Sequence, residues 1–225
     1  MFEAVILMGG FGTRLKEISG EIPKPMVLVG SDPFVYRLMK KLELAGCSKI
    51  ILSLYYGASF IIESIRADNP VACDVVFVVE EVPLGTGGAL KFAAKEISTE
   101  YFIAMNGDTF SGVDYHDLIC QKGTADIIIS GVEVKNIARY GSLEFDSSLK
   151  LTGMSEKGSE GAGVINSGTY LIRTSSILSV KEERFSFEEF YLPTYKPKTS
   201  VMVFDGDFID IGIPSDYFLA CEKFS

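Results

Sequence analysis

An apolar run near the start of the chain, Ala4-Val5-Ile6-Leu7-Met8, ends abruptly in Gly9-Gly10-Phe11-Gly12 and then Thr13-Arg14. Glycines let a backbone take positive φ and approach a ligand closely, so that its N–H groups face an anion. Arg14 adds a planar guanidinium that can grip phosphate oxygens through two parallel hydrogen bonds. A second cation, Lys24, stands between Pro23 and Pro25, whose rings favour an extended, preorganised segment. Together these residues suit the binding of a phosphorylated group. The loop is not the dinucleotide fingerprint, which needs a third glycine where this chain has Leu15. It also lacks the Gly-Lys-Ser/Thr ending of a Walker loop.

Three further stretches could take part. Asp108 closes the segment AMNGD, and Asp210 lies in FIDIGIP about a hundred residues later, near Asp205 and Asp207. Magnesium is held by one or two carboxylates together with substrate phosphates and water, although an aspartate in Asn-Gly-Asp also suits an ordinary turn. In EEVPLGTGGAL (80–90), Gly85, Thr86, Gly87 and Gly88 can bring backbone and a hydroxyl against a flat base and let a helix start without clash. Glu80 or Glu81 could read that base, and the period of two turns only one of them inward. One carboxylate accepts from both N1–H and N2–H of guanine, whereas uracil and thymine offer a single N–H between repelling carbonyls. His116, the one histidine, reads as a surface residue at a helix start. Tyr55-Tyr56 and the aromatics of FSFEEFYLP read as packing rather than a stacking platform.

The elements that must position these residues alternate. Residues 2–8, 49–54, 74–79 and 101–105 read as short buried strands, separated by helical patterns at 33–46, 58–67 and 86–96. Pro33 suits the first position of its helix with Asp32 as cap. Strands separated by helices give a parallel sheet covered on both faces, a three-layer α/β/α domain. After about residue 110 the rhythm changes to strands at 126–134, 141–146, 151–156, 163–172 and 199–205 with fewer helices between them. This predicts an antiparallel elaboration on the same core, giving one domain over 1–225 with halves of about 1–110 and 111–225.

The chain has 225 residues, is 47% hydrophobic and carries a net charge of −9. That charge argues against a coat for nucleic acid or an anionic membrane, so attraction to an anion must be local. Cys47, Cys73, Cys120 and Cys221 are widely spaced, without the pairing pattern of a zinc site or a secreted disulfide framework. The apolar N-terminal run is too short for a signal peptide or a span. The expectation is a reduced, cytoplasmic, soluble protein, with a homodimer through a sheet edge or surface helix left open.

The motifs, taken together, resemble those of the sugar-1-phosphate nucleotidylyltransferases. GGFGTRL and PKPM are followed in family order by EEVPLGTGGAL, NGD, YGSLEFD, SEKG, INSGTYLI and DIGIP, across essentially the whole chain. Within the family the chain is most similar to the D-glycero-D-manno-heptose 1-phosphate guanylyltransferases. The resemblance implies a Rossmann-like nucleotidyltransferase fold and a reaction joining a sugar 1-phosphate to the α-phosphorus of GTP, with release of pyrophosphate. The product would be GDP-heptose, used for capsule or other surface polysaccharide. Transfer of a guanylyl, uridylyl or thymidylyl group to mannose or glucose 1-phosphate, or a non-catalytic sugar-nucleotide sensor, are the alternatives.

The resemblance also implies roles. Arg14, Lys24 and Asp108 would be catalytic. Met8, Gly9, Gly10, Gly12, Thr13, Arg14, Lys24, Glu80, Gly85, Thr86, Gly88 and Asp108 would bind the nucleotide. Gly141, Glu156, Lys157, Asn166 and Gly168 would bind the sugar phosphate, and Asp108 with Asp210 would hold Mg²⁺. The family more often reads Asp-x-Gly-Thr-Pro, whereas Ile213 replaces the threonine here.

Overall fold

Strand β1 (Phe2–Leu7) is buried along nearly its whole length, and its side chains alternate between two cores. Ala4 and Ile6 pack on one face of the sheet with helices α1 (Phe34–Leu44) and α2 (Ala58–Ala67), while Val5 faces the other, with α3 (Gly85–Ala93). Apolar residues at consecutive positions, as from Ala4 to Leu7, are what a sheet sandwiched between helical layers demands. The computed structural model describes residues 1–12, 15–140, 142–155, 160–195 and 198–224.

In the first half, β1 pairs in parallel with β2 (Cys47–Leu54) and β4 (Tyr101–Asn106), and β2 pairs in parallel with β3 (Asp74–Val79). The second half adds β5 (Ile127–Val134), β6 (Gly163–Arg173) and β7 (Thr199–Phe204) to the same sheet, in the order β7-β5-β6-β4-β1-β2-β3. Strand β6 runs antiparallel to both neighbours, and β7 parallel to β5. The fold is therefore the α/β sandwich with a mostly parallel mixed sheet that the sequence pattern predicts. The rhythm change near residue 110 marks the reversed strand, not a break in the sheet. None of the helices among the described residues is long and apolar enough to cross a membrane.

One expected cap is absent. Asp32 does not cap α1. Asp32 and Pro33 instead pair with Leu28 and Val29 as a small antiparallel ladder, and the Asp32 carboxylate accepts from Lys40 Nζ at 2.9 Å. The helix starts at Phe34 with no side-chain cap. Arg37, one turn in, locks the ladder by donating to the Val29 carbonyl at 2.7 Å.

A second small ladder matters more for function. Thr109–Ser111 runs antiparallel to Phe208–Asp210, with Thr109 opposite Asp210. Two segments about a hundred residues apart are thereby fixed side by side at the sheet's ligand edge.

At the opposite end of β1, Glu3 is almost fully buried. Burial alone would raise its carboxyl pKa. The Ser98 hydroxyl, the Lys49 ammonium and the N–H groups of Ser98 and Thr99 outweigh burial and lower it to about 2. A carboxylate held below its unfolded value stabilises the fold above that value and loses this contribution as pH falls toward 2. The difference corresponds to about 3 kcal/mol at neutral pH. Glu3→Gln should therefore lower the urea midpoint at pH 7 and flatten its dependence between pH 5 and pH 2. An unchanged acid limb would show that other groups control it.

Candidate active site

In an open parallel sheet, ligands bind beyond the carboxyl ends of the strands. Here the residues at or just past the ends of the four parallel strands of the first half, Met8, Tyr55, Glu80 and Asn106, line a single cleft of about 440 Å³. Gly9, Gly10 and Gly12 form one wall of it, with Lys24 and Asp108 beside them. Gly12 has φ +60°, and a Cβ there would stand 3.0 Å from Lys24 Cβ. Glycine is thus needed both for the turn and for the close approach of loop and lysine. Thr13 and Arg14, the rest of the loop, lie outside the described residues.

Lys24 is not extended between its prolines. The Met26 N–H donates to the Pro23 carbonyl at 2.8 Å, folding Lys24–Met26 into one 3₁₀ turn. This turn buries the lysine, which is only 8% exposed, and aims its ammonium into the cleft. Lys24 Nζ donates to Asp108 Oδ2 at 2.5 Å and lies 3.8 Å from Asp210 Oδ1.

The two aspartates owe their meeting to the ladder of Thr109 and Asp210, reinforced by the Ile211 N–H donating to the Asp108 carbonyl at 3.0 Å. Asp210 Oδ1 also accepts from the Gly212 N–H at 2.7 Å. A side chain at Gly212 would collide with that oxygen, standing 2.7 Å away, and crowd Lys24 Nζ at 3.2 Å. Two carboxylates therefore converge on one positive centre. These hard oxygen donors fit Mg²⁺, which takes one or two carboxylates and completes its shell from phosphates and water. Ile213, where the threonine stands in the resemblance, is the N-cap of helix α4 (Pro214–Lys223) and makes no side-chain cap bond. The departure affects a helix cap, not an acidic ligand.

Glu80, not Glu81, faces the cleft. Glu80 is 7% exposed and lines the wall, whereas Glu81 is exposed. Burial raises the Glu80 pKa, opposed by the Leu84 N–H, which donates to Oε2 at 2.9 Å. Gly85 and Thr86 also line the cleft.

Gly88 does not reach the cleft as expected. The N–H groups of Gly87 and Gly88 both donate to the Phe185 carbonyl, at 3.0 and 3.2 Å, and a Cβ on Gly88 would come within 2.4 Å of the Glu183 carbonyl. These glycines admit a protein segment, not a base.

On the sugar side, Gly141, Glu156 and Lys157 lie outside the described residues. Asn166 is half-buried and donates to the Tyr170 hydroxyl at 2.7 Å. Gly168, with φ +71°, makes room for Asn106, since a Cβ would stand 2.7 Å from Asn106 Nδ2. The approach it permits is that of a neighbouring side chain rather than a sugar. It falls where the pairing of β6 with β5 slips between Asn166 and Tyr170, as at a bulge that re-aims side chains. His116 is exposed and Asp114 caps its helix, as expected.

Tyr55, Asn106, Glu188 and Gly212 also line the cleft, although the motifs assign them no role there. Tyr55, expected to pack, forms part of the wall, with the exposed Phe11 ring edge-on at 5.9 Å. Its place directly after a buried parallel strand was the available signal. The aromatics of FSFEEFYLP do pack together, Phe187 on Tyr191 at 5.1 Å, but of the two glutamates between them Glu188 lines the cleft.

A match to the nucleotidyl transferase family spans residues 3–224. The chain is 36% identical to a D-glycero-alpha-D-manno-heptose 1-phosphate guanylyltransferase of Campylobacter jejuni, covering 96% of this chain and 97% of that protein. It superposes on HddC from Yersinia pseudotuberculosis with a TM-score of 0.94 and 49% identity, covering 100% of both chains. The same Yersinia protein has also been solved complexed with GMP-PN, again at 49% identity and TM-score 0.94 over 100% of both chains. With residues 3–224 matched, and with the glycine loop, Lys24, Glu80, Asp108 and Gly212 lining one cleft at the carboxyl edge of the sheet, the chain belongs to the nucleotidyl transferase family.

Proposed function

We propose that the chain is a guanylyltransferase that joins D-glycero-D-manno-heptose 1-phosphate to the GMP moiety of GTP, giving GDP-heptose and pyrophosphate. The observation that carries this reading is the convergence in one cleft of the glycine loop, Lys24 between Asp108 and Asp210, and the buried carboxylate of Glu80. The heptose and the guanine are those in the names of the Campylobacter relative and of the ligand in the Yersinia complex.

A phosphate oxygen of the sugar 1-phosphate attacks the α-phosphorus, and the bond from that phosphorus to the pyrophosphate oxygen breaks. No covalent enzyme intermediate is needed, so the work is positioning and charge neutralisation. Backbone N–H groups at Gly9, Gly10 and Gly12 cradle the triphosphate, with Thr13 and Arg14 continuing the loop and Arg14 stabilising the departing pyrophosphate. Lys24 neutralises charge at the α-phosphate. Asp108 and Asp210 would hold Mg²⁺, which would supply further charge neutralisation on the phosphate oxygens. Glu80 accepts from N1–H and N2–H of guanine, and Gly85 with Thr86 borders the base. Asn166, Glu156 and Lys157, with the chain at Gly141, hold the sugar phosphate. Residues up to about 110 thus serve the nucleotide and the rest the sugar, as one domain on one continuous sheet. The unpaired state of all four cysteines accords with a reducing cytoplasm.

Pyrophosphate release with Mg²⁺, each of GTP, UTP and dTTP, and a panel of sugar 1-phosphates tests this directly. GTP with the heptose 1-phosphate is expected to give the highest kcat/KM. Preference for UTP or dTTP, or for mannose or glucose 1-phosphate, would replace the substrate assignment, and no turnover with any pair would leave a sensor. Glu80→Gln should raise the KM for GTP on the order of tenfold or more, by turning an acceptor against a donor. Only the ionised carboxylate can accept both bonds. GTP affinity should therefore hold at neutral pH and fall as pH drops through the raised Glu80 pKa, from a higher pH than an ordinary glutamate would give. The variant should lack that acid limb.

A further inference from the structure

Lys41, on helix α1, carries a charge that none of the roles above uses. Its ammonium donates to the main-chain carbonyls of Ser111 and Val113, the second at 2.8 Å. It also stands over the rings of Tyr115 and Phe110, at 4.3 and 5.4 Å from their centres, and the negative face of a ring attracts a cation. It forms no ion pair with a carboxylate among the described residues. Burial lowers its pKa to about 8, with the Asp114 charge opposing the shift. At neutral pH it is still an ammonium, kept there at a cost in desolvation.

The backbone it grips is the far end of the ladder that brings Asp108 and Asp210 together. Ser111 pairs with Phe208 in that ladder, as Thr109 does with Asp210. Past Ser111 the chain turns tightly. The Gly112 N–H donates to the Asp207 carbonyl at 2.7 Å, and a Cβ on Gly112 would stand 2.8 Å from the Asp207 nitrogen. The turn lets two carbonyls two residues apart share one ammonium. Helix α1 reaches the ladder a second time through Arg37. That guanidinium donates to the Phe224 carbonyl at 3.0 Å, and the Phe224 ring meets Phe110 of the ladder edge-on at 5.1 Å. Residues 37 and 41 are four apart and so share one helix face.

A two-stranded ladder this short is marginal by itself, so its position must come from outside. Strand β4 holds the chain before Asp108, and Lys41 holds it three residues after. The distance between two carboxylates that share a cation tolerates little error, since a displacement of about 1 Å can cost on the order of a hundredfold in rate. Without the ammonium, two main-chain carbonyls lose their donor, and the ladder loses its outer anchor.

We propose that Lys41 is a positioning residue: its ammonium fixes the ladder that sets the spacing of Asp108 and Asp210. This rests on the assignment of those aspartates to a divalent cation above. Lys41→Met keeps the stem and removes the charge. Amide hydrogen exchange at Ile211 and Gly212, whose N–H groups donate to the Asp108 carbonyl and the Asp210 carboxylate, should quicken on the order of tenfold. The amides of β1 should stay at wild-type rates. The Mg²⁺ concentration for half-maximal turnover should rise on the order of tenfold, with the KM for the sugar 1-phosphate unmoved. Lys41→Arg keeps the charge and can donate to both carbonyls, so it should bring both readouts back toward wild type.

A lower melting temperature with the exchange of Ile211 and Gly212 and the Mg²⁺ requirement unchanged would reduce Lys41 to a stabilising contact and overturn the inference. An arginine variant as impaired as the methionine one would do the same, because the charge would not be what is used. If Lys41→Met does not fold, Lys41→Gln, which keeps an N–H donor without the charge, is read the same way with smaller shifts. A wild-type protein that turns over no sugar 1-phosphate overturns the function itself, whereas the exchange of Ile211 and Gly212 needs no turnover and tests Lys41 in either case.

Discussion

Replacing Asp108 with asparagine is expected to reduce turnover by on the order of a thousandfold while leaving the fold intact. The carboxylate sits at the junction of three features: the end of β4, the ladder that carries Asp210, and the buried Lys24 ammonium. Asparagine fits the same space and can still accept from Lys24 through its one carbonyl oxygen. What it removes is a full negative charge from a site built around two. The magnesium–GTP complex should therefore bind more weakly and be held less accurately for in-line attack. Asp210→Asn should act in the same direction. Its oxygen is also held by the Gly212 N–H at 2.7 Å, so it keeps its position better after the change. Single-turnover rates with saturating GTP and sugar 1-phosphate separate chemistry from binding. A rate for Asp108→Asn within tenfold of wild type would falsify the assignment of this carboxylate to the catalytic centre.

Most of the sheet was legible because burial on both faces leaves little choice of residue. The buried YFIAM strand falls within a residue of where the pattern places it, and so does the helix over 58–67. The glycine loop and Lys24 were legible for a different reason. A triple glycine after a buried strand and a lysine between prolines are costly unless backbone and charge are used there. What the sequence concealed was pairing across long separations. Nothing local says that Thr109 will lie opposite Asp210, or that the Phe185 ring and the Glu183 backbone will fill the space at Gly87 and Gly88. The second case misdirects, because a glycine that admits another strand of protein and one that admits a base look alike in one dimension. Asp32 misleads similarly: its residue type suits a cap, but a ladder with Leu28–Val29 claims the segment first. Glu188 was hidden by company, one of two adjacent acids in an aromatic run that does pack together.

The second large effect concerns Lys24. In the protein without nucleotide its ammonium lies where a cation is wanted by both Asp108 and Asp210. A lysine so placed has two uses: it neutralises the paired carboxylates before substrate arrives, and it is available to the α-phosphate afterwards. Lys24→Met keeps the stem that packs against Gly12 and removes only the charge. Turnover should fall by roughly a hundredfold to a thousandfold, the usual loss when one preorganised positive donor is removed from a reacting phosphate or oxyanion. Stability should fall as well, by about 1–3 kcal/mol. That lies below the value typical of a fully buried pair because the Asp108 side chain is 36% exposed. The two losses should respond oppositely to a divalent cation. With the ammonium gone, its place beside Asp108 and Asp210 is open to a divalent cation, so the nucleotide-free variant should bind Mn²⁺ on the order of tenfold more tightly than wild type. Mn²⁺ should then restore its melting temperature but not its turnover. Calorimetric titration of both proteins with Mn²⁺ in the absence of nucleotide measures the difference. Equal affinities would mean that lysine and metal do not share the aspartates, and that Lys24 serves the phosphate alone.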